Sequence, residues 1–159
     1  MKVIVVSGCV GTGKTRLAKK LSKILKFEYL DVTKLIKENK LSNDYDKKNK
    51  CEIVDVKKLN KFLIEIIKKS KKNLIIDSHL SHYLPKRYVD LCIVTSCDIS
   101  VLRERLKKRK YSAQKIKDNL EAEIFDTCVI ESKEMKHNLF VLNTTKGYDI
   151  KQIVSFINS

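Results

Sequence analysis

The sequence predicts an α/β fold, a parallel sheet covered by helices on both faces, and three observations carry that prediction. Short continuous apolar runs at residues 3–6, 74–76 and 91–95 read as strands buried on both faces. Lysine-rich segments between them repeat their apolar residues at helical spacing. The two kinds of segment alternate from one end of the chain to the other, as right-handed β-α-β crossovers require.

Taken in order, Val3, Ile4, Val5 and Val6 open the sheet and end in Ser7-Gly8. Leu17, Leu21, Ile24 and Leu25 then form one face of a helix running from Thr15 to about Lys26, with Lys19, Lys20 and Lys23 between them. Residues 29–31 read as a second strand and 33–38 as a short helix. The stretch SNDYDKKNK at 42–50 is polar enough to be an exposed loop. Asp55 caps the next helix, whose Val56, Leu59, Leu63, Ile66 and Ile67 keep the helical period. Strands at 74–77 and 91–95 follow, separated by an irregular stretch that holds the only proline, Pro85. Asp98 or Ser100 caps a helix ending near Arg109, and Ser112 opens another with Ile116, Leu120, Ile124 and Cys128 on one face. A last strand at 140–142, a turn at 143–147 and a helix carrying Ile150, Ile153, Val154 and Ile157 close the chain.

The length of 159 residues is that of one domain, spanning 1–159, and 43% hydrophobic residues exclude general disorder. No apolar run reaches the roughly 20 residues that cross a bilayer, and the first residues carry no signal-peptide pattern, so no membrane partner is expected. Five scattered cysteines without a C-x-x-C pair fit a reducing compartment, and the cytoplasm is the expected location. Three histidines, poorly matched with those cysteines, do not outline a structural metal site. Against 19 acidic residues stand 34 Lys and Arg, a net charge of +15. Composition leaves that excess open among a nucleic-acid footprint, an attraction for anionic nucleotides and a solvated surface.

One octapeptide carries specific chemistry. Gly8-Cys9-Val10-Gly11-Thr12-Gly13-Lys14-Thr15 matches G-x-x-x-x-G-K-[ST], and it lies between a buried strand and an amphipathic helix. Three of the chain's four glycines fall inside it. Such a loop curls its N–H groups toward phosphate oxygens at a helix N-terminus. Lys14 would reach the β- and γ-phosphates of ATP, and the Thr15 hydroxyl would hold Mg²⁺. A second carboxylate belongs at a neighbouring strand tip, where Asp77 sits, to orient the ion's water shell; capping the following turn is its plainer role. His79 can position an attacking water or tune the metal shell, or be an ordinary hydrogen-bonded residue. Arg105 and Arg109, four apart on one helix, share a face that suits a polyphosphate or only solvent. Arg87, after Pro85, is a candidate for a second phosphate.

Beyond the loop, Tyr45-Asp46, Cys51 with Asp55, Asp77-Ser78-His79, Pro85-Lys86-Arg87, Glu104-Arg105-Leu106, Arg109, Tyr111, Asp118-Asn119 and Glu123-Ile124-Phe125 extend the pattern. With these residues the chain resembles adenylate kinase isoenzyme six, the CINAP family, and its archaeal counterparts. The resemblance implies a P-loop NTPase fold: a five-stranded parallel sheet flanked by helices, an NMP-binding segment at about 31–54 and a lid at about 108–118. It implies reversible transfer of the γ-phosphoryl of ATP to AMP or a related monophosphate, with Mg²⁺, and ATPase activity. It also implies a role in late small-subunit ribosome maturation, with a platform ribosomal protein as partner; the surplus positive charge leaves contact with ribosomal RNA open beside a merely solvated surface.

By the same resemblance, Gly11, Gly13, Lys14, Thr15, Arg16 and Arg109 surround ATP, and Asp31, Tyr45, Asp46 and Arg87 belong to the NMP side. Lys14, Asp77, His79, Arg105 and Arg109 become the catalytic set, and Thr15 with Asp77, the latter through water, the metal set. Three departures stand out: Val10 and Arg16 replace a proline and a threonine common in the family's loop, and Lys110 stands where some relatives have glycine. Two other readings remain, an ATP-switched ribosome assembly factor with secondary kinase activity and a basic RNA-binding domain with a vestigial loop.

Overall fold

In the computed structural model, residues 1–48 and 51–159 are described, Cys51 and Glu52 by their backbone only. Strand β1 (Val3–Gly8) leads into helix α1 (Lys14–Leu25), β2 (Glu28–Asp31) and α2 (Val32–Glu38). Strands β3 (Ser42–Asp46) and β4 (Cys51–Val54) precede α3 (Val56–Lys69), β5 (Leu74–Asp77), β6 (Leu91–Ser96) and α4 (Ile99–Lys108). The chain ends with α5 (Ala113–Ile124), α6 (Thr127–Glu134), β7 (Leu139–Asn143) and α7 (Ile150–Asn158).

The five-stranded sheet has the order β2-β5-β1-β6-β7, and every pairing in it is parallel. Side-chain alternation along β1 divides the core in two. Val3 and Val5 pack with Leu59, Leu63 and Ile67 of α3 and Val32 of α2 on one face. Ile4 and Val6 pack with Leu17 and Leu21 of α1 and Ile153 and Ile157 of α7 on the other. A smaller cluster of Leu102, Leu106 and Leu120 holds α4 and α5 together with Val10 of the loop after β1. No helix among the described residues is long and apolar enough to cross a membrane.

Two sequence expectations need correction. Residues 42–46, read as loop, pair antiparallel with Cys51–Val54 as a hairpin, because cross-strand backbone bonds form whatever the side chains' polarity. The expectations for Asn49 and Lys50 in that stretch lie outside the described residues. The helix expected to run from Ser112 through Cys128 is broken at Asp126, whose φ of 50° turns the chain into a second helix.

Candidate active site

The site lies at the carboxyl ends of the sheet strands, where an open parallel sheet leaves a crevice. Gly8, the last residue of β1, has φ of +138°, and a Cβ there would stand 2.6 Å from the Thr95 carbonyl oxygen, so only glycine lets the loop leave the strand. Gly13 caps α1 with φ of 94° and brings no side-chain hydrogen bond, and no acidic residue occupies the first turn. The amides of that turn are therefore not satisfied by a capping side chain, and the helix presents its positive end.

Tertiary bonds brace the loop. Thr12 Oγ1 donates to the Cys9 carbonyl at 2.7 Å and meets Thr95 Oγ1 at 2.7 Å. Thr144, just after β7, donates its hydroxyl to the Thr12 carbonyl at 2.7 Å. Arg105 reaches across from α4 to donate to the Gly11 carbonyl at 3.3 Å and the Thr144 carbonyl at 3.0 Å. Its expected role on a transferring phosphoryl is thus joined by a visible one, fastening the loop to the β7 turn.

A cavity of about 630 Å³ opens here. Gly11, Gly13, Lys14, Thr15, Arg16 and Arg109, the whole set expected around ATP, line it. Arg105, Thr144, Thr145 and Tyr148 also line it, as does Lys20, which the helical pattern placed on a solvated face. Lys20 lies over the Tyr148 ring, 5.8 Å from its centroid. Among the described residues the lining thus holds five cations, Lys14, Arg16, Lys20, Arg105 and Arg109, and no carboxylate.

Lys14 folds back to donate to the Cys9 carbonyl at 2.9 Å. Burial pulls its ammonium below the ordinary lysine range, with the nearby Asp77 carboxylate opposing. Asp77 is buried at the tip of β5 and accepts a 2.8 Å hydrogen bond from Tyr29 Oη. Sequence reasoning gave Tyr29 no role; its phenol is pushed upward by burial and then by Asp77. The donors expected to hold Mg²⁺ are oxygens, the exposed Thr15 hydroxyl and the Asp77 carboxylate, the kind that hard cation prefers. His79 is exposed two residues beyond β5, with its imidazole pushed down to about 4 by desolvation and then by Lys14, His82 and Lys115.

The NMP-side residues are more dispersed. Asp31 stands opposite Asp77 in the β2-β5 register and accepts from the Lys34 amide as the cap of α2. Tyr45 and Asp46 belong to the hairpin, Tyr45 with an exposed ring and Asp46 accepting from the Lys48 amide. Arg87 is exposed, with its guanidinium 5.0 Å from the Tyr88 ring centroid. Tyr45, Asp46 and Arg87 line neither the large cavity nor a smaller one of about 190 Å³ beside it.

Comparison with known proteins fits this geometry. A family model described as an AAA domain matches residues 4–126. The adenylate kinase isoenzyme 6 homolog of Caenorhabditis elegans is 34% identical over 131 residues, covering 82% of this chain and 72% of that protein. The chain belongs to the adenylate kinase isoenzyme 6 family. The family's homolog in Drosophila melanogaster is 32% identical, over 82% of this chain and 74% of its own length. Shikimate kinase from Acinetobacter baumannii, solved in complex with shikimate, superposes with a TM-score of 0.66 at 16% identity, covering 99% of this chain and 93% of that one. At that identity the likeness is one of fold, the P-loop kinase fold.

Proposed function

We propose that this chain is a nucleoside monophosphate kinase of the adenylate kinase type, reversibly transferring the γ-phosphoryl of ATP to AMP or a related monophosphate. The single observation that carries the reading is the uncapped N-terminus of α1 opening into a cavity with five cations and no carboxylate. A polyphosphate matches that cavity in charge and in hydrogen-bonding sense. The names of the relatives point to the same chemistry.

In this reading the loop amides and Lys14 hold the β- and γ-phosphates, and Arg16, Lys20 and Arg109 surround the rest of ATP. The acceptor lies beyond the tips of β2 and β5, on the side of Asp31, Tyr45, Asp46 and Arg87. Mg²⁺ would be held by the Thr15 hydroxyl and, through water, by Asp77, and when bound it neutralises charge on the β- and γ-phosphates. Closure of the segment at about 108–118 brings Arg109 onto the transferring group and excludes water. Positioning and charge stabilisation supply the catalysis, with no covalent intermediate.

The test supplies ATP with each nucleoside monophosphate in turn and follows ADP with and without acceptor. Acceptor-dependent ADP is expected, and Lys14→Ala should abolish it; near-normal turnover of that variant at saturating ATP overturns the role of the loop. A second reading, an ATP-hydrolysing factor on the small ribosomal subunit with a platform protein and ribosomal RNA as partners, draws on the exposed lysines and on His79 beside Lys14. Acceptor-independent ADP formation, raised by the ribosomal partner, would favour it.

A further inference from the structure

Outside the nucleotide cavity the fold gathers a second set of donor atoms. His82 lies in the 3-10 turn Ser81–Tyr83 after β5, with a side chain 1% exposed. Cys128 and Glu131, three apart on α6, face the same way. One ligand atom from each of His82, Cys128 and Glu131 lies within 4.8 Å of the other two. All three line the cavity of about 190 Å³, together with Cys9 of the phosphate loop.

We propose that His82, Cys128 and Glu131 form a binding site for a divalent transition metal of the zinc class, its fourth position opening toward Cys9. Imidazole, thiolate and carboxylate are the donors zinc takes at about 2.0–2.3 Å, which places tetrahedral ligand atoms roughly 3.3–3.8 Å apart. The His82 Nε2–Glu131 Oε2 pair, 2.7 Å apart, opens to those spacings as the ion enters, by movement of Glu131, whose side chain is 28% exposed. Nitrogen and sulfur donors also separate this site from the oxygen donors suited to Mg²⁺.

The surroundings match a ligating histidine. Nε2 of His82 lies 2.7 Å from Glu131 Oε2, and its Nδ1 lies 2.6 Å from Ser7 Oγ. A metal takes the place of the proton between Nε2 and the carboxylate, and that proton moves to Nδ1. The Ser7 hydroxyl serves both tautomers, donating to a bare Nδ1 or accepting from Nδ1–H, and so orients the ring. Burial lowers the His82 imidazole from its usual range, against the opposing pull of the Glu131 carboxylate. The Cys128 thiol is lowered by its hydrogen bond with Cys9 and, more weakly, by the Lys14 ammonium, against the desolvation that burial brings. On binding, it releases its proton to solvent, so one divalent ion enters as one proton leaves. The bound ion would clasp α6 to the turn that follows Asp77.

The test uses the full chain, stripped of metal, free of nucleotide and kept under a non-thiol reductant. Titration with Co²⁺ should give a saturating thiolate-to-cobalt charge-transfer band at one equivalent, and Zn²⁺ should displace it. Cys128→Ser should remove the band, Glu131→Gln should weaken binding at least about tenfold, and Cys97→Ala, outside the cluster, should keep both. Should Cys128→Ser fail to fold, Glu131→Gln decides. Absence of the band, its persistence in folded Cys128→Ser, unaltered affinity in Glu131→Gln or equal loss in Cys97→Ala overturns the site.

Discussion

Asp77 shows how a single residue depends on partners that its own neighbours in sequence do not reveal. Its place at the end of an apolar run marked it as a candidate, but its hydrogen bond comes from Tyr29, 48 residues away. Hydrogen bonds to charged groups contribute about 1.5–3 kcal/mol. Tyr29→Phe is therefore expected to lower unfolding free energy by roughly that amount in urea titration; an unchanged midpoint would deny the bond any role. His79 supplies a pH dependence with a definite sign. Its folded value of about 4 lies below the ordinary 6.5, so the unfolded chain binds the extra proton first as pH falls. Stability is thus present above pH 6.5 and declines toward pH 4, gently because solvent reaches the exposed His79 and screens the effect, and His79→Gln should flatten that slope in thermal unfolding. A slope unaltered in the variant would assign the dependence to other groups, His82 among them, whose imidazole is also lowered.

Among the elements, strands and helices with a buried face were legible because burial writes their period into the residues. β1 and β5 are buried along their whole length and β6 nearly so, each around a run of apolar residues, and α1 and α3 repeat their leucines toward the sheet. The β3-β4 hairpin carries no such signal, since its polar residues face solvent. The break at Asp126 was hidden for a different reason: an αL residue costs only about 1–2 kcal/mol, which packing can override without a glycine or proline to mark it. Among the described residues five non-glycines take positive φ, and four of them are lysines, Lys26, Lys40, Lys110 and Lys136. Lys110, standing where some relatives have glycine, thus keeps the left-handed turn after α4. Lys26, which follows α1 with φ of 56°, offers a clean test because its side chain is exposed. Lys26→Gly relieves the left-handed strain but loosens the unfolded chain, and a net gain of about 0.5–1 kcal/mol is expected in urea unfolding. A loss would show that the lysine stem packs more favourably than its exposure implies.

Across the whole molecule the charge is +15, and among the described residues few ion pairs compensate it, such as the exposed Lys34–Glu38 at 3.7 Å and Lys117–Glu121 at 4.0 Å. Self-repulsion of that size opposes compactness and is screened by salt. Raising NaCl from about 0.01 to about 0.15 M shortens the screening length from roughly 30 to 8 Å, and the midpoint temperature should rise by about 2–4 °C for each kcal/mol recovered. A midpoint that falls or stays level would mean that the surface charges are already balanced locally. Local sequence sufficed for the α/β alternation, the phosphate-loop octapeptide and the candidate pair Lys14 and Asp77, because backbone geometry and face burial constrain residues close together in the chain. It took packing in three dimensions to set Arg105 and Thr144 as braces on the loop, to turn Lys20 toward the cavity and to bring Tyr29 to Asp77. Packing alone brought His82 to Cys128 and Glu131, which local spacing had not outlined as a metal site. Such meetings depend on how separate helices and strand ends pack, and the periodicity of one segment carries no record of which side chain another will place beside it.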